Sequence, residues 1–306
     1  MKNQPINVII DTDIGDDIDD AAALCAAMQS PELHILGVTT VFKDTRKRAR
    51  IAKRLLRLGG HGEIPVYAGA SRPLKNQEVY GKQVDFEEPP ITYSEEYEGE
   101  EIDTGKTARE FIIEELEKCT SPIRFITLGA LTNLAEVLLE RPDLKTKIES
   151  VFVMGGAYST FHVGEYNFSC DPEAADLVLE SGVKLLCAGL DVTFQCCLSD
   201  ANMKVLYEAE HPCLKMLVSL QKAWGHNIVL HDPLVVLLAT DASFVQTQKI
   251  KCRVELNGTY ARGMAVNLSN WTWDLPAEDS TVEVAVAVDG KRVVSTFMER
   301  ILRFEH

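Results

Sequence analysis

The sequence lacks long apolar runs, and it has few basic residues for its size. No apolar stretch reaches the roughly 18 residues that a membrane-spanning helix needs, and the first residues lack the apolar core of a signal peptide. There are 31 lysines and arginines against 46 aspartates and glutamates, which gives a formal net charge of -15. Such a surplus of acid opposes binding to phosphate backbones and to anionic membranes. We therefore expect no nucleic-acid partner, no membrane partner and a cytoplasmic location.

Two motifs that would define a cofactor site are also missing. The eight cysteines are scattered without a Cys-x-x-Cys pair, so we expect reduced thiols with structural roles and no zinc or redox centre. The turn after the first apolar segment carries no Gly-x-Gly-x-x-Gly, the pattern that binds the pyrophosphate of a nicotinamide cofactor. The chain has three tryptophans, Trp224, Trp271 and Trp273, for which the sequence favours packing over stacking on a planar ligand.

The sequence does contain a regular alternation of apolar, β-rich segments with helix-periodic ones. This predicts βαβ units, and hence an α/β fold with an open, mainly parallel, doubly wound (Rossmann-like) sheet in a single domain covering residues 1–306. The predicted strands are 7–11, 34–41, 64–67, 123–128, 150–154 and 184–190. The predicted helices are 18–29, 45–58, 104–118, 131–140, 172–181, 214–224, 234–240 and 294–304. Segments 250–266 and 281–288 are expected to form a small late antiparallel addition, and the glutamate-rich segment 75–105 a loop with solvated acids.

The most informative segment is an acidic cluster where the first apolar strand ends and a helix begins. Six of the ten residues from Asp11 to Asp20 are aspartates. In an open α/β sheet, ligands bind beyond the carboxyl ends of the strands. Carboxylates crowded there raise one another's pKa unless a cation neutralises them. Capping of the helix accounts for some of these aspartates but not for all of them, so we expect a site for a hard cation such as Ca²⁺ or Mg²⁺.

Further motifs follow in chain order. Together with the acidic cluster, they are Asp11-Thr12-Asp13-Ile14-Gly15, Asp19-Asp20-Ala21, 127–133, Met154-Gly155-Gly156, Glu165-Tyr166-Asn167, 171–175, 190–193 and His231-Asp232-Pro233. Across nearly the whole chain, they resemble the inosine/uridine-preferring nucleoside N-ribohydrolase family. The resemblance implies a sheet of the nucleoside hydrolase type with Ca²⁺ at the strand ends, and hydrolysis of a ribonucleoside, the small-molecule partner, to ribose and base. It also implies a homodimer or homotetramer.

The resemblance further implies which residues would hold the cation and carry the reaction. The cation would be bound by the carboxylates of Asp13, Asp20 and Asp232 and by the backbone carbonyl of Leu128. Asp13 would also be the general base toward the attacking water. His231, whose unperturbed pKa lies near neutrality, would be the acid that protonates the departing base.

Four residues are expected to contact the ribose. Glu165 and Asn167 follow the Met-Gly-Gly motif, Asp19 adjoins the cation site, and Asp44 stands where the family usually has an asparagine near the sugar. For Glu165 and Asn167, a polar surface loop is the alternative interpretation. Asn133 is expected to cap its helix.

The acidic cluster departs from the family's commonest pattern in two ways. Ile14 replaces a proline, and two additional residues separate Gly15 from the Asp-Asp pair. An ungapped alignment would place Asp17 on that pair. We prefer Asp19 and Asp20, because they directly precede the alanine-rich helix, and Asp17 stays an alternative ligand.

Other functions stay open at this point. A strand followed by Asp-x-Asp also begins the haloacid-dehalogenase-type phosphatases. That family has Thr or Val where this chain has Gly15, and it leaves the motif at His231 unexplained. A non-catalytic protein that binds nucleosides or ribose is a second alternative, and a hydrolase of an atypical ribosyl substrate is a third.

Overall fold

An eight-stranded sheet runs through the molecule, which we describe from a computed structural model covering residues 4–75, 78–269 and 277–306. Trp271 and Trp273 lie outside the described residues. The strands of the main sheet and of two small sheets are β1 Ile6–Thr12, β2 Leu33–Thr40, β3 Val66–Ala68, β4 Glu78–Val79, β5 Lys82–Gln83, β6 Ile123–Thr127, β7 Ile148–Met154, β8 Leu185–Ala188, β9 Val245–Lys249, β10 Cys252–Val254, β11 Ala265–Asn267 and β12 Val282–Val288.

The strands of the main sheet are ordered β3-β2-β1-β6-β7-β8-β12-β9. Neighbouring strands are parallel except β12 and β9, which are antiparallel. The chain therefore winds outward from β1 to β3 and, from β6 onward, outward in the other direction. β1 and β6 flank the point where the winding changes direction, and ligands of open α/β sheets bind there, beyond the carboxyl ends of the strands. β4 with β5 and β10 with β11 form the two small antiparallel sheets.

Helices cover both faces of the sheet. They are α1 Asp19–Met28, α2 Thr45–Leu58, α3 Ala108–Lys118, α4 Thr132–Glu140, α5 Tyr166–Cys170, α6 Pro172–Glu180, α7 Leu190–Thr193, α8 Asp200–Tyr207, α9 Pro212–Trp224, α10 His231–Thr240 and α11 Gly290–Ile301. Local sequence sets several of their ends: Thr107 and Glu110 form a capping box at the start of α3, and Gly225 ends α9 with a φ of 86°. Within the described ranges, no helix combines the length and the hydropathy needed to cross a bilayer.

β1 shows how the two faces of the sheet are filled. Val8 and Ile10 belong to one apolar core and Ile9 to the other, because successive side chains of a strand point to opposite faces. The first core includes side chains of α1, α2, α9, α10 and α11, and the second includes side chains of α3, α4 and α6. All three β1 residues are fully buried, as in a parallel sheet that is covered on both faces.

The predicted fold class is confirmed, with some differences in the last third of the chain. Segment 250–266 contributes the antiparallel pair of β10 and β11. Segment 281–288 lies within the main sheet as β12, where it is antiparallel to β9, as expected, but parallel to β8. Strand β9 was not predicted because the residues after Val245 are exposed and show no apolar alternation.

The prediction of solvated acids in segment 75–105 is wrong for Glu100. The side chain of Glu100 is only 8% exposed, and its Oε1 accepts hydrogen bonds from Arg54 at 2.9 Å and Arg57 at 2.6 Å. Glu98 binds a third arginine of α2. The segment is therefore fastened along α2 by ion pairs, which the sequence of the segment alone does not reveal.

The pair of β10 and β11 is tied both to α6 and to the loop before α5. Gly164 forms an antiparallel bridge with Met264, just before β11. Arg253 of β10 donates two hydrogen bonds to Asp176 of α6, with N–O distances of 2.7 and 2.6 Å, and the backbone N–H of Val254 donates a third at 3.0 Å. Burial raises the pKa of Asp176, but these hydrogen bonds outweigh it, so that the pKa lies below its usual value.

We expect Asp176→Asn to lower the free energy of unfolding by about 1–3 kcal/mol at pH 7, because a charge-assisted hydrogen-bond pair is lost. The pKa of Asp176 is lower in the folded protein than in the unfolded chain. Its contribution is therefore full above the usual aspartate pKa of about 3.9, and it is lost as the pH falls through the folded value. Urea unfolding of both proteins between pH 7 and acidic pH measures this, and a difference that does not shrink in acid would contradict it.

Candidate functional site

The acidic cluster lies beyond the carboxyl ends of β1 and β6, where the winding of the sheet changes direction. It borders a cavity of about 460 Å³, a volume that suits a small organic ligand. The cavity is lined by Asp13, Asp16, Asp17, Asp19, Asp20, Tyr80, Leu128, Met154, Val163, Gly164, Glu165, Tyr166, Asn167, Leu190, His231 and Asp232. With one exception, Asp44, the predicted site residues all line this cavity.

Several carboxylates of the cluster are removed from water and close to one another. Burial raises the pKa of Asp13 to about 8 and the pKa of Asp19 to about 7. For Asp17, Asp20 and Asp232, burial and neighbouring carboxylates raise the pKa well above its usual value. The backbone N–H of Asp232 donates to Asp19 Oδ2 at 3.3 Å, which joins α10 to α1. Ionising all of these groups together is unfavourable unless a positive charge lies among them.

Hydrogen bonds from the ends of the strands orient the aspartates. Asp11 Oδ1 accepts from Thr39 Oγ1 at 2.6 Å and from Asn133 Nδ2 at 2.7 Å, and the hydroxyl of Thr12 donates to Asp20 Oδ1. Asp11 Oδ2 is buried, and no partner for it is found within the described ranges. Asn133 lies inside α4 and links that helix to β1, so the prediction that it caps the helix is wrong.

The aspartates fit a divalent cation. Asp17, Asp19 and Asp20 each offer an oxygen, and these oxygens lie within 4.8 Å of one another. Gly129 leaves room for Asp13, because a Cβ on this glycine would lie 2.7 Å from Asp13 Oδ1. An all-oxygen donor set is the kind that a hard cation prefers. Asp17, the alternative ligand in the sequence, is therefore a member of this group, whereas the predicted ligands Asp13 and Asp232 are not.

Glu165 and Asn167 lie in another wall of the cavity, at the start of α5. Glu165 caps this helix: its carboxylate accepts from the backbone N–H groups of Asn167 at 2.7 Å, Gly156 at 3.0 Å and Phe168 at 3.1 Å. Asn167 Nδ2 donates to the carbonyl of Leu128 at 2.6 Å, which fixes the orientation of that predicted ligand. Both side chains are buried, so the interpretation as a polar surface loop is wrong.

His231 is the first residue of α10, next to Asp232. Its Nδ1 lies 2.7 Å from Thr193 Oγ1, and its ring packs edge-on against Phe194 with centroids 4.9 Å apart. Burial lowers the pKa of His231 to about 4, so the free imidazole is neutral at pH 7. The sequence offers only the unperturbed pKa near neutrality, which burial lowers in this environment, and the residue does line the cavity.

Asp44 is the predicted site residue that the structure places elsewhere. It caps α2 by accepting from the backbone N–H of Lys47 at 3.0 Å, and it borders a second cavity instead of the acidic one. Phe42 and Lys43 before it have positive φ angles of 65° and 59°, and this turn leads the chain to the start of α2. The position of Asp44 soon after β2 does not show on which side of the turn its carboxylate lies.

Arg48 is the residue that the sequence reasoning missed. Its side chain is fully buried beneath the acidic cluster. Nη1 donates to the backbone carbonyls of Asp13 and Ile14, the latter at 3.0 Å, while Nε donates to the carbonyl of Phe42 at 2.7 Å and Nη2 to Asp16 Oδ2 at 2.8 Å. Burial alone would lower the pKa of this guanidinium, but the carboxylates of Asp16 and Asp13 raise it.

A signal for Arg48 exists in the sequence. Arg48 stands three, four and seven residues before Ile51, Ala52 and Leu55, which are buried on one face of α2. An arginine on the apolar stripe of a helix must be paired inside the protein. The many other basic residues of α2 conceal this spacing.

Comparison with known proteins agrees with the motifs. The family model described as inosine-uridine preferring nucleoside hydrolase matches residues 8–295. The chain is 30% identical to uridine nucleosidase 1 of Arabidopsis thaliana, over 97% of this chain and 93% of that protein. It is also 30% identical to the pyrimidine-specific ribonucleoside hydrolase RihA of Photobacterium profundum, over 85% of this chain and 87% of that protein.

The fold agrees as well. The structure is similar to that of a purine-preferring ribonucleoside hydrolase from Gardnerella vaginalis, with a TM-score of 0.81 and 28% identity, covering 97% of this chain and 98% of the other. The resemblance carried by the sequence motifs is thereby confirmed. This chain belongs to the inosine-uridine preferring nucleoside hydrolase family.

Proposed function

We propose that the protein hydrolyses the N-glycosidic bond of a ribonucleoside in a Ca²⁺-dependent reaction that releases ribose and the free base. The supporting observation is that Asp13, Asp20, Asp232 and His231 line one cavity. Glycosidic cleavage passes through an oxocarbenium-like state, so it needs a water on one face of the sugar and a group that neutralises the departing base. Carboxylates and an imidazole are suited to these two tasks.

The cation would be held by the carboxylates of Asp13, Asp20 and Asp232 and by the carbonyl of Leu128, with Asp17 as a further candidate. The raised pKa values of Asp13, Asp20 and Asp232 support this assignment. The close approach of the oxygens of Asp17, Asp19 and Asp20 supports Asp20 and the further candidate Asp17. When bound, Ca²⁺ would orient the ribose 2′- and 3′-hydroxyls and lower the pKa of a water molecule. Asp13 would then accept a proton from the attacking water.

His231 would assist the departing base through Nε2. The short contact of its Nδ1 with the Thr193 hydroxyl supports this role. As an imidazolium, the ring would donate its Nδ1–H to the Thr193 hydroxyl and its Nε2–H to a nitrogen of the departing base, and it would be left as a neutral imidazole. Phe194 fixes the plane of the imidazole from the side.

Asp19, Glu165 and Asn167 would contact the ribose hydroxyls, since all three line the same cavity. The names of the relatives include uridine, pyrimidine and purine specificities, so they do not select one base. A hydrolase of an atypical ribosyl substrate is the second candidate, because the segment after residue 75 lacks the His-Gly stretch of many relatives and residues 157–164 supply no asparagine for the ribose 5′ end. Family membership excludes the phosphatase alternative. A single domain, a homodimer or homotetramer and a cytoplasmic location stay predictions.

We expect the chelator-treated protein to release no ribose and Ca²⁺-restored protein to release it from at least one nucleoside, because the cation orients the ribose and activates the water. Free ribose is measured after incubation with a panel of purine and pyrimidine nucleosides, with Mg²⁺ added in a parallel sample. Ribose release that survives chelation would disprove the dependence on Ca²⁺. No ribose from any nucleoside would disprove the usual activity, and would favour an atypical ribosyl substrate or a binding role.

Asp13→Ala should lower kcat by about a hundredfold or more, because a cation ligand and the general base are both lost. Steady-state kinetics with saturating Ca²⁺ measure the effect. Activity above a tenth of wild type would contradict the dual role of Asp13.

Asp44→Ala is the matched control for Asp13→Ala. Because Asp44 caps α2 outside the cavity, Asp44→Ala should cost about 1 kcal/mol of stability while KM stays unchanged. A large rise in KM would instead support the contact between Asp44 and the ribose that the sequence predicts.

His231→Ala should reduce kcat/KM strongly for inosine, whose base is a poor leaving group, and much less for nitrophenyl riboside, whose leaving group needs no proton. Comparing the two substrates at one pH measures this difference. Equal losses for the two substrates would rule out a role for His231 in protonating the base.

A further inference from the structure

The loop between β1 and α1 has no regular secondary structure of its own. Ile14 lacks the pyrrolidine ring by which a proline restricts its own φ angle. Gly15 adopts a φ of 115°, a conformation that residues with a side chain rarely adopt. A Cβ on Gly15 would also lie 2.6 Å from Pro90 Cβ, so no larger residue fits there. The carboxylate of Asp13 is attached to this loop, so something outside the loop must fix its position.

Arg48 provides such a fixed point. Its guanidinium donates to two consecutive carbonyls of the loop, those of Asp13 and Ile14, and to the side chain of Asp16 further along it. It also donates to the carbonyl of Phe42, in the turn between β2 and α2. One rigid planar group thus joins the two loops that follow β1 and β2.

Resting on the proposed function, we propose that Arg48 is a positioning residue, which holds the Asp13 segment of the loop where its carboxylate can bind the cation. Arg48 has no surface in the cavity and does not line it. It acts through the backbone of Asp13 and through Asp16. Partners that orient ligands in this way typically contribute about 10–100-fold to metal affinity.

The positive charge of Arg48 weakens cation binding, whereas its positioning effect strengthens it. The direction in which Kd changes in a variant therefore shows which of the two effects is larger. A guanidinium near a cation site repels the cation, so removing the charge alone would tighten binding. Asp16, however, pairs with Arg48 at 2.8 Å and offsets part of this charge. We therefore expect positioning to outweigh repulsion.

The test compares Arg48→Lys and Arg48→Met with Arg300→Met as the control. Arg300 is also buried, and it bonds to Ser30, beyond the end of α1, away from the acidic cluster at the start of that helix. Its loss should destabilise the protein without changing the cation site. Lysine keeps the charge of Arg48 but cannot reproduce its fork of hydrogen bonds.

Calorimetric titration with Ca²⁺ should show at least about a tenfold rise in Kd for both Arg48 variants and a change of less than about twofold for Arg300→Met. A Kd equal to or below that of wild type for Arg48→Met would overturn the proposal, since repulsion would then dominate. Full affinity in Arg48→Lys would also overturn it, because charge without the fork would then suffice.

Hydrogen exchange of the chelated proteins tests Arg48 without any cation. Amides of residues 11–20 should exchange at least about tenfold faster in Arg48→Met than in wild type, and at the wild-type rate in Arg300→Met. Unchanged exchange in Arg48→Met would overturn the positioning role. Absence of Ca²⁺ binding by wild type would count against the proposed function instead, and the exchange result would still decide on Arg48.

Discussion

The mutual repulsion of carboxylates held out of water at one edge of the sheet is the constraint around which this site is organised. Asp13, Asp19, Asp20 and Asp232 are buried together, and no chain would hold four such groups ionised without positive charge beside them. The fold supplies part of that charge through Arg48, on the buried face of α2. The negative charge that Arg48 does not neutralise is what favours a bound cation at this site.

The fold was readable from the sequence because its signals are local and repeated. Apolar strands alternate with periodic helices, and in β1 each side chain serves one of two cores. β9 was not predicted, because an edge strand with exposed side chains shows no alternation of apolar and polar residues. The antiparallel pairing of β12 with β9 agrees with the expected late addition. Its parallel pairing with β8 joins residues about a hundred positions apart, and no local pattern encodes that distance.

The site was predictable to the extent that motifs mark residue type and position relative to a strand end. Asp20, Glu165 and His231 were found in this way, and all three line the cavity. The direction in which a side chain points is harder to predict from sequence, because a single turn places Asp44 at another cavity. The environment of a titratable group is harder still: the low pKa of His231 is set by burial among elements distant in sequence.

The contact between Asp232 and Asp19 joins residues 213 positions apart. During synthesis, the aspartates that follow β1 leave the ribosome long before the chain that carries Asp232 and Met264. Until Asp232 has been made, the acidic cluster lacks one of the carboxylates that line the cavity. The complete site can therefore form only after three quarters of the chain has been synthesised.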